Sequence, residues 1–569
     1  MLVLTFAFAF LMVAGRLVWI QVVEAPAYAA RAKAQRMRDV ELAPRRGTIY
    51  DREGEPLAVS VEAKTVFASP PQVLDKEATA AGLAKVLGGE ESEYLEKLTS
   101  DAGFVYLARK VDLDRATELA ELDLDGIGLI DDFQRLYPSG ELACQVLGFV
   151  GVDDVGLAGL EKRYESLLGG TPGVVMGERD PQGRPIPGGI QKAIDPVHGQ
   201  DIVLTIDKDI QYETQVELVH IVEKWGAKSA SAVVMNPRNG EIYAMATAPG
   251  FNPNRYGEAD ADAIRNRPAT DAFEPGSTLK SLTAAAVIEE GLYTPESMFN
   301  LPSTIKVGGR TIHEAHGRAA VRWSLTDIVT NSSNVGTVKL GLKLGEDGLY
   351  QAFSDFGLTE VPGTDFPGTT MGWLPPTDQW SASSIGNIPF GQGVSVTPLQ
   401  LSRSIAAIAN DGMLTTPHFL LDAPQSDDPA PTWERRRAIT ADTASQVTKM
   451  LEAVVTEGTG ASAAVPGYTV AGKTGTAQKA RPGGGGYKGG GYVGSFIGYL
   501  PAEDPQVLIC ITVDQPTNAI YGGVVAGPSF SRIGRFAVSH LKIPPSSVSA
   551  TEAAGSSATS KSVDPVSEP

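Results

Sequence analysis

The stretch Glu274-Pro275-Gly276-Ser277-Thr278-Leu279-Lys280 constrains this chain more than any other. Pro275 and Gly276 break what precedes, and Ser277 opens a run of helical character from Leu279 to Glu290, closed by Gly291. Residues three apart share a helix face, which puts Ser277 and Lys280 one turn apart with side chains in reach. A serine hydroxyl is a poor nucleophile until something removes its proton. Lys280 can remove it if burial holds its amine neutral, because desolvation disfavours the charged form. The positive end of the helix favours a forming alkoxide and also lowers the lysine pKa. On its own the pattern is weak evidence, since Ser-x-x-Lys arises by chance in many chains of 569 residues.

Two further stretches change the odds. Ser332-Ser333-Asn334 and Lys473-Thr474-Gly475-Thr476 follow in that order. Serine-x-x-lysine, serine-x-asparagine and lysine-threonine-glycine form the three-part signature of the penicillin-recognising serine enzymes. On these residues the chain resembles the penicillin-binding proteins, and specifically the monofunctional class B transpeptidases. The resemblance implies an α+β fold, an antiparallel sheet flanked by helices as in the serine transpeptidases and β-lactamases, with an N-terminal pedestal and one membrane anchor. It implies acyl transfer from a peptidoglycan stem peptide, with Ser277 attacking the penultimate D-alanine and Lys280 taking its proton. Ser332 would pass a proton to the leaving amine, and Asn334 would hold Lys280 and the substrate backbone. Lys473 and Thr474 suit a carboxylate, and Gly475 would permit close approach of substrate to the strand. By the same resemblance the N–H groups of Ser277 and Thr476 form the oxyanion hole. No metal or organic cofactor is expected, and β-lactams would be trapped as acyl-serine.

The start of the chain is apolar through residues 2–14, interrupted by Gly15-Arg16, and apolar again through residues 17–23. A membrane span needs about 20 such residues, and an arginine near its end can snorkel. Residues 1–23 therefore read as an uncleaved signal anchor. Arg31, Lys33, Arg36 and Arg38 follow the span and no basic residue precedes it, opposite to the positive-inside pattern for an exported C-terminus. Relatives carry a basic stub there, so Met1 is expected not to be the true start. Residues 24–200 are expected to form the class B pedestal (dimerisation-type) domain. Its resemblances are Arg45-Arg46-Gly47-Thr48-Ile49-Tyr50-Asp51-Arg52-Glu53-Gly54, Arg135-Leu136-Tyr137-Pro138, and Gly156-Leu157-Ala158-Gly159-Leu160-Glu161. They leave no room for a glycosyltransferase domain. Residues 201–543 are expected to be the transpeptidase domain. It opens with a strand at 201–207, a helix through Gln211 and Val219, and a hairpin of two sheet-edge strands around Asn236-Pro237-Arg238-Asn239-Gly240. Residues 544–569, rich in Ser, Ala, Thr, Pro and acids, are expected to be disordered.

Three other features carry blander readings. Gly467 to Thr474 spells the phosphate-loop pattern, but a glycine-rich stretch rather than a helix follows it. His313-Glu314-Ala315-His316 lacks helical spacing or a third ligand and reads as exposed loop histidines. Cys144 and Cys510 each sit in an apolar run and read as buried free thiols. Phe390-Gly391-Gln392-Gly393 resembles a segment the family places under the active site, and reads as scaffold packing. The net charge of −19 argues against a nucleic-acid surface. A β-lactamase would need a fast water-activating base, and no Glu-x-x-Leu-Asn segment is present. A non-catalytic penicillin-binding sensor or scaffold is the rival of another class. The expected location is the bacterial cell membrane, single-pass, with the catalytic domain outside. The Phe390 segment and the membrane exit resemble the division (FtsI-type) branch more than the side-wall elongation branch. Expected partners are stem peptides, β-lactams, a membrane glycosyltransferase of the shape, elongation, division and sporulation family, and division proteins.

Overall fold

The computed structural model describes residues 1–28, 37–178, 191–426, 431–479, 487 and 489–546. Arg31, Lys33 and Arg36 lie outside the described residues, as does the tail beyond Ser546. Pro544 to Ser546 are ordered against the body, where the Ser546 amide donates to Gly467 O at 2.9 Å.

The N-terminal helix Leu2–Val18 continues through a wider turn, Trp19–Val23, to give 22 residues of mean hydropathy 2.1. It is long and apolar enough to cross a membrane, and none of it is buried against the protein. Arg16 has an acceptor within the chain: Glu24 lies 3.7 Å away and also accepts from the Trp19 indole at 3.0 Å.

The pedestal is built on the long strand Pro56–Ala68, which pairs along most of its length with Ile127–Leu136 and at its far end with Val105–Val111. The Asp-Arg-Glu-Gly turn forms as expected. Asp51 Oδ1 accepts from the amides of Glu53 and Glu55, and Gly54 takes the positive φ of +86° that closes the turn. The three pedestal segments singled out in the sequence converge on one buried cluster. Glu161, wholly buried, accepts from Arg46 Nε and from Arg135 Nε, each at 2.7 Å, and from the Tyr137 hydroxyl at 3.1 Å. Burial pushes the Glu161 carboxyl up, but Arg135 and Arg46 outweigh it and hold it below its ordinary range.

The border expected at residue 200 falls inside a shared structure. Ile202–Leu204 pairs in parallel with Ile49–Tyr50 of the pedestal and antiparallel with Leu420–Asp422 from late in the chain. One hydrophobic core runs from Ile49 and Leu57 to Leu282 and Val447. Asp365, itself buried, ties the halves again: it accepts from the pedestal Tyr164 hydroxyl at 2.5 Å and from the amides of Phe419 and Leu420.

A five-stranded sheet runs in the order Ile242–Ala248, Ser229–Met235, Val507–Asp514, Tyr492–Leu500, Ala471–Gln478, each antiparallel to its neighbour. The hairpin expected at residues 231–245 is present, but only Ile242–Ala248 is an edge. Ser229–Met235 is covered on its other side by Val507–Asp514. Side chains alternate between two cores. Val233, Ile497 and Cys510 face the larger core, whereas Val234, Phe496 and Ile509 face the helices Lys208–Trp225 and Gly527–His540. Asp207 caps the first of these helices through the amides of Asp209 and Ile210. Cys144 and Cys510 are free and buried, and burial pushes both thiols up to about 12. On the larger core's side, the helix Lys280–Glu289 is buried on every face through Ile288. It packs among the helices Asn334–Asp355, Pro398–Ala409 and Ala441–Thr456. A helix buried on every face belongs at the centre of a domain, and of its two charged residues Lys280 is buried at its start while Glu289 ends it outside the buried stretch.

Candidate active site

The serine turn is tighter than an α-helix. Gly276–Leu279 is a single 3-10 turn that passes into the helix at Lys280. Gly276 has a φ of +54°, and its amide donates to Gly391 O at 3.0 Å. A Cβ on Gly391 would stand 2.2 Å from Gly276 O, so only glycine lets these two backbones meet. The Phe390-Gly391-Gln392-Gly393 segment is thus packing, as read, and it is the packing that supports the serine turn. Glu274, just before the turn, accepts from the Gly393 amide at 3.0 Å and the Tyr487 hydroxyl at 2.7 Å.

Ser332 lies between the short helix Leu325–Thr330 and the helix Asn334–Asp355, with a φ of +55°. That bend carries the Ser332-Ser333-Asn334 loop onto Lys280. The Lys280 amine, 1 % exposed, donates to Ser332 O at 2.5 Å, Asn334 Oδ1 at 2.7 Å and Ser332 Oγ at 3.2 Å. All three bonds go to the loop and none to Ser277, so the lysine is held by its neighbours rather than by the hydroxyl one turn away. Burial pushes its pKa well below the usual lysine value, Lys473 pushes it further, and Glu314 opposes both.

Lys473, Thr474, Gly475 and Thr476 lie on Ala471–Gln478, the open edge of the sheet. The sequence match to a phosphate loop fails on structure: Lys473 and Thr474 are inside a strand where that loop needs a helix start. The strand begins at Ala471, so Tyr468-Thr469-Val470, strand-like in sequence, leads up to it outside the ladder. Lys473 is also 1 % exposed, and burial lowers its pKa to about 7. Among the described residues its hydrogen bonds are to Thr474, at 3.3 Å to the carbonyl and 3.5 Å to the hydroxyl. No carboxylate pairs with it among the described residues. Thr474 Oγ1 shares a hydrogen bond of 2.9 Å with Thr459. Gly475 has a further use, in packing. A Cβ there would lie 2.3 Å from Ser495 Oγ and 2.9 Å from both Pro275 O and Thr278 Cγ2. The glycine lets the serine turn press on the strand. Thr476 Oγ1 accepts from the Gly522 amide at 3.1 Å.

The structure therefore brings the three motifs to one place: a serine turn, a loop that grips a buried lysine, and a second buried lysine on an open strand. It also adds a residue that sequence reasoning passed over. Arg310–His313 is not loop but one strand of a hairpin with Thr304–Val307, turned by Gly308 and Gly309, both at positive φ. The hairpin delivers Glu314 to the Ser332–Asn334 loop, where Ser333 Oγ and the Asn334 amide each donate to its carboxylate at 2.6 Å. The Gly-Gly pair between two short apolar alternations was the available signal.

Comparison with known proteins gives the same answer. Residues 230–535 match the penicillin binding protein transpeptidase domain, and residues 41–204 match the penicillin-binding protein dimerisation domain. The chain is 36 % identical over 570 residues to penicillin-binding protein PbpB of Mycobacterium tuberculosis, covering 94 % of this chain and 83 % of that one. It is 33 % identical over 541 residues to peptidoglycan D,D-transpeptidase FtsI of Escherichia coli, covering 93 % and 88 %. The crystal structure of penicillin binding protein 3 from Mycobacterium tuberculosis complexed with aztreonam superposes with a TM-score of 0.70 at 31 % identity, covering 89 % of this chain and 98 % of that one. With both domains matched in order and relatives aligned along nearly the whole length, the chain belongs to the class B penicillin-binding proteins.

Proposed function

We infer that this chain is a peptidoglycan D,D-transpeptidase that cross-links stem peptides at the division septum through an ester on Ser277. One observation carries the chemistry: two buried lysines flank the serine turn, one gripped by Ser332 and Asn334, the other with no carboxylate partner among the described residues. A neutral Lys280 takes the Ser277 proton as the hydroxyl attacks the carbonyl of the penultimate D-alanine. Ser332, bonded to Lys280, relays that proton to the departing D-alanine amine. An amine of a second stem peptide then attacks the ester, regenerating the serine and forming the cross-link. Lys473 and Thr474 receive the terminal carboxylate, and the edge strand takes the extended peptide as an added strand. Thr476 and Ser277 amides receive the oxyanion. The same geometry accounts for trapping by β-lactams, whose opened ring stays on the serine.

Labelled penicillin followed by peptide mapping tests this: the adduct is expected on Ser277. An adduct on Ser332 or Ser281 overturns the assignment. Turnover of a thioester stem-peptide analogue, lost in Ser277→Ala, separates an enzyme from a penicillin-binding scaffold.

The septal role rests on the resemblance to the FtsI-type branch and on the alignment with FtsI of Escherichia coli. The N-terminal helix serves as a single-pass anchor with the catalytic domain outside. Since the matched domains only cross-link, glycan strands come from a partner, a membrane glycosyltransferase of the shape, elongation, division and sporulation family. Exchanging residues 1–23 for an unrelated anchor is expected to preserve penicillin binding and impair septation. Normal division after the exchange makes the helix a tether only.

A further inference from the structure

We propose that Glu314 is a positioning residue, which fixes the Ser332–Asn334 loop at the head of the helix Asn334–Asp355 and so holds Asn334 against Lys280. The inference rests on the transpeptidase reading of the same site. Glu314 is not exposed as a loop residue would be: its side chain is 6 % accessible. One carboxylate oxygen accepts from Ser333 Oγ at 2.6 Å and from Arg318 Nη2 at 2.5 Å, and the other accepts from the Asn334 amide at 2.6 Å. Ser333 is the N-cap of that helix and accepts from the Gly336 amide at 2.9 Å, so Glu314 orders the cap residue and satisfies the first free N–H behind it. The hairpin makes a second contact, His313 O accepting from Asn334 Nδ2 at 2.9 Å. Asn334 is then held at its amide and at its side-chain nitrogen, leaving its oxygen aimed at Lys280, 2.7 Å away. Each of the three groups bonded to Glu314 is a donor, and a carboxylate is the side chain that only accepts. Arg318, stacked over the Trp323 ring at 4.7 Å, supplies the counter-charge.

The charge has a consequence beyond position. The charged groups acting on Lys280 are Lys473 from the sheet edge and Glu314 from the hairpin; the loop offers it only the neutral groups of Ser332 and Asn334. Glu314 therefore raises the pH at which Lys280 becomes neutral, and the acid limb of acylation follows Lys280. Removing the charge moves that limb to lower pH.

The test is the second-order rate of acylation by a fluorescent penicillin across pH, using the whole chain. Glu314→Gln is expected to move the acid limb to lower pH and to lower the plateau about 10-fold or more, the scale for losing a hydrogen bond to a charged group. Arg318→Gln leaves the carboxylate without its counter-charge and is expected to move the limb the other way. A plateau within about twofold of wild type in Glu314→Gln overturns the proposal, and a lowered plateau with an unmoved limb keeps the positioning role while overturning the charge effect drawn from it. Should Glu314→Gln fail to fold, an unmoved or lowered limb in Arg318→Gln overturns it instead. An unreactive wild type sinks the transpeptidase reading and this inference with it, whereas a reactive wild type with unresponsive variants sinks this inference alone.

Discussion

Replacing Gly475 by alanine tests whether the serine turn and the substrate strand are held at a fixed separation. The new methyl carbon would stand 2.3 Å from Ser495 Oγ, 2.9 Å from Pro275 O and 2.9 Å from Thr278 Cγ2. The serine hydroxyl can rotate away. The other two atoms cannot: Pro275 O is backbone, and Thr278 is buried with its hydroxyl donating to that same oxygen at 2.9 Å. A carbon–oxygen contact relaxes near about 3.3–3.6 Å, so the turn has to withdraw from the strand by about 0.5 Å. Overpacking of this kind costs about 1–3 kcal/mol. The larger effect is expected in the chemistry, because Pro275 is two residues from Ser277 and a misplacement of about 1 Å at a reacting group lowers rates about 100-fold. Stopped-flow acylation by a fluorescent penicillin is expected to slow about 10- to 100-fold, with a melting temperature only a few degrees lower. Adding Thr278→Ser, which removes one of the two fixed contacts and keeps the hydroxyl bond, recovers part of both. Acylation within about twofold of wild type alongside a lowered melting temperature would refute the reasoning, since the strain would then have gone elsewhere.

Lys473 titrates near 7 because it is buried, so its ammonium is lost as pH rises through that value, and acylation by carboxylate-bearing β-lactams is expected to decline above it. In Lys473→Arg, which stays charged, that alkaline decline disappears from the rate profile. The stability sign is the reverse of a salt bridge: the folded pKa lies below the unfolded one, so the buried charge destabilises the fold fully below about pH 7 and not above about pH 10. Lys473→Met is therefore expected to raise the melting temperature more at pH 6 than at pH 10. Glu161→Gln leaves Arg135 buried without its counter-charge and Arg46 with Glu165 alone, and is expected to cost about 3–5 kcal/mol, read as a lowered thermal transition. Because Arg135 and Arg46 hold the Glu161 carboxyl below its ordinary range despite burial, its contribution is present above about pH 4.3 and is lost as pH falls below that, which a melt series in acid checks. Tyr164→Phe deprives buried Asp365 of one of its donors and is expected to cost about 1–3 kcal/mol in the same assay.

The parts of this molecule legible in sequence were those where local chemistry and global placement agree. Gly276, Ser277 and Lys280 announce a turn and a helix start, and Asp51 to Gly54 announce a turn between strands; both are local events, and both form. What connects them is long-range. Nothing near residue 420 says that Leu420–Asp422 joins a sheet with Ile49–Tyr50, and nothing in Ser-Ala-Val-Val says which strand of a hairpin will be covered by Val507–Asp514. Three pedestal segments stood out by resemblance, yet the reason they matter together is a contact between Arg46, Arg135 and Glu161 that no local pattern encodes.

The two misleading spellings are the more instructive. Gly467 to Thr474 satisfies every letter of a phosphate loop, but that loop works because a helix dipole and free amides meet the anion. Lys473 here sits inside an edge strand, where no helix start is present to meet an anion. His313-Glu314-Ala315-His316 drew the eye to its histidines as possible metal ligands. The residue between them is the one the fold uses, because a hairpin ending at His313 sets the next side chain against the head of another helix. A carboxylate there meets the Ser333 hydroxyl, the Asn334 amide and an arginine, and Asn334 in turn accepts from Lys280. Spacing within a motif is read along the chain. The chemistry of this site depends instead on which chain ends are brought face to face, and glycines at 276, 391 and 475 are what allow the approach.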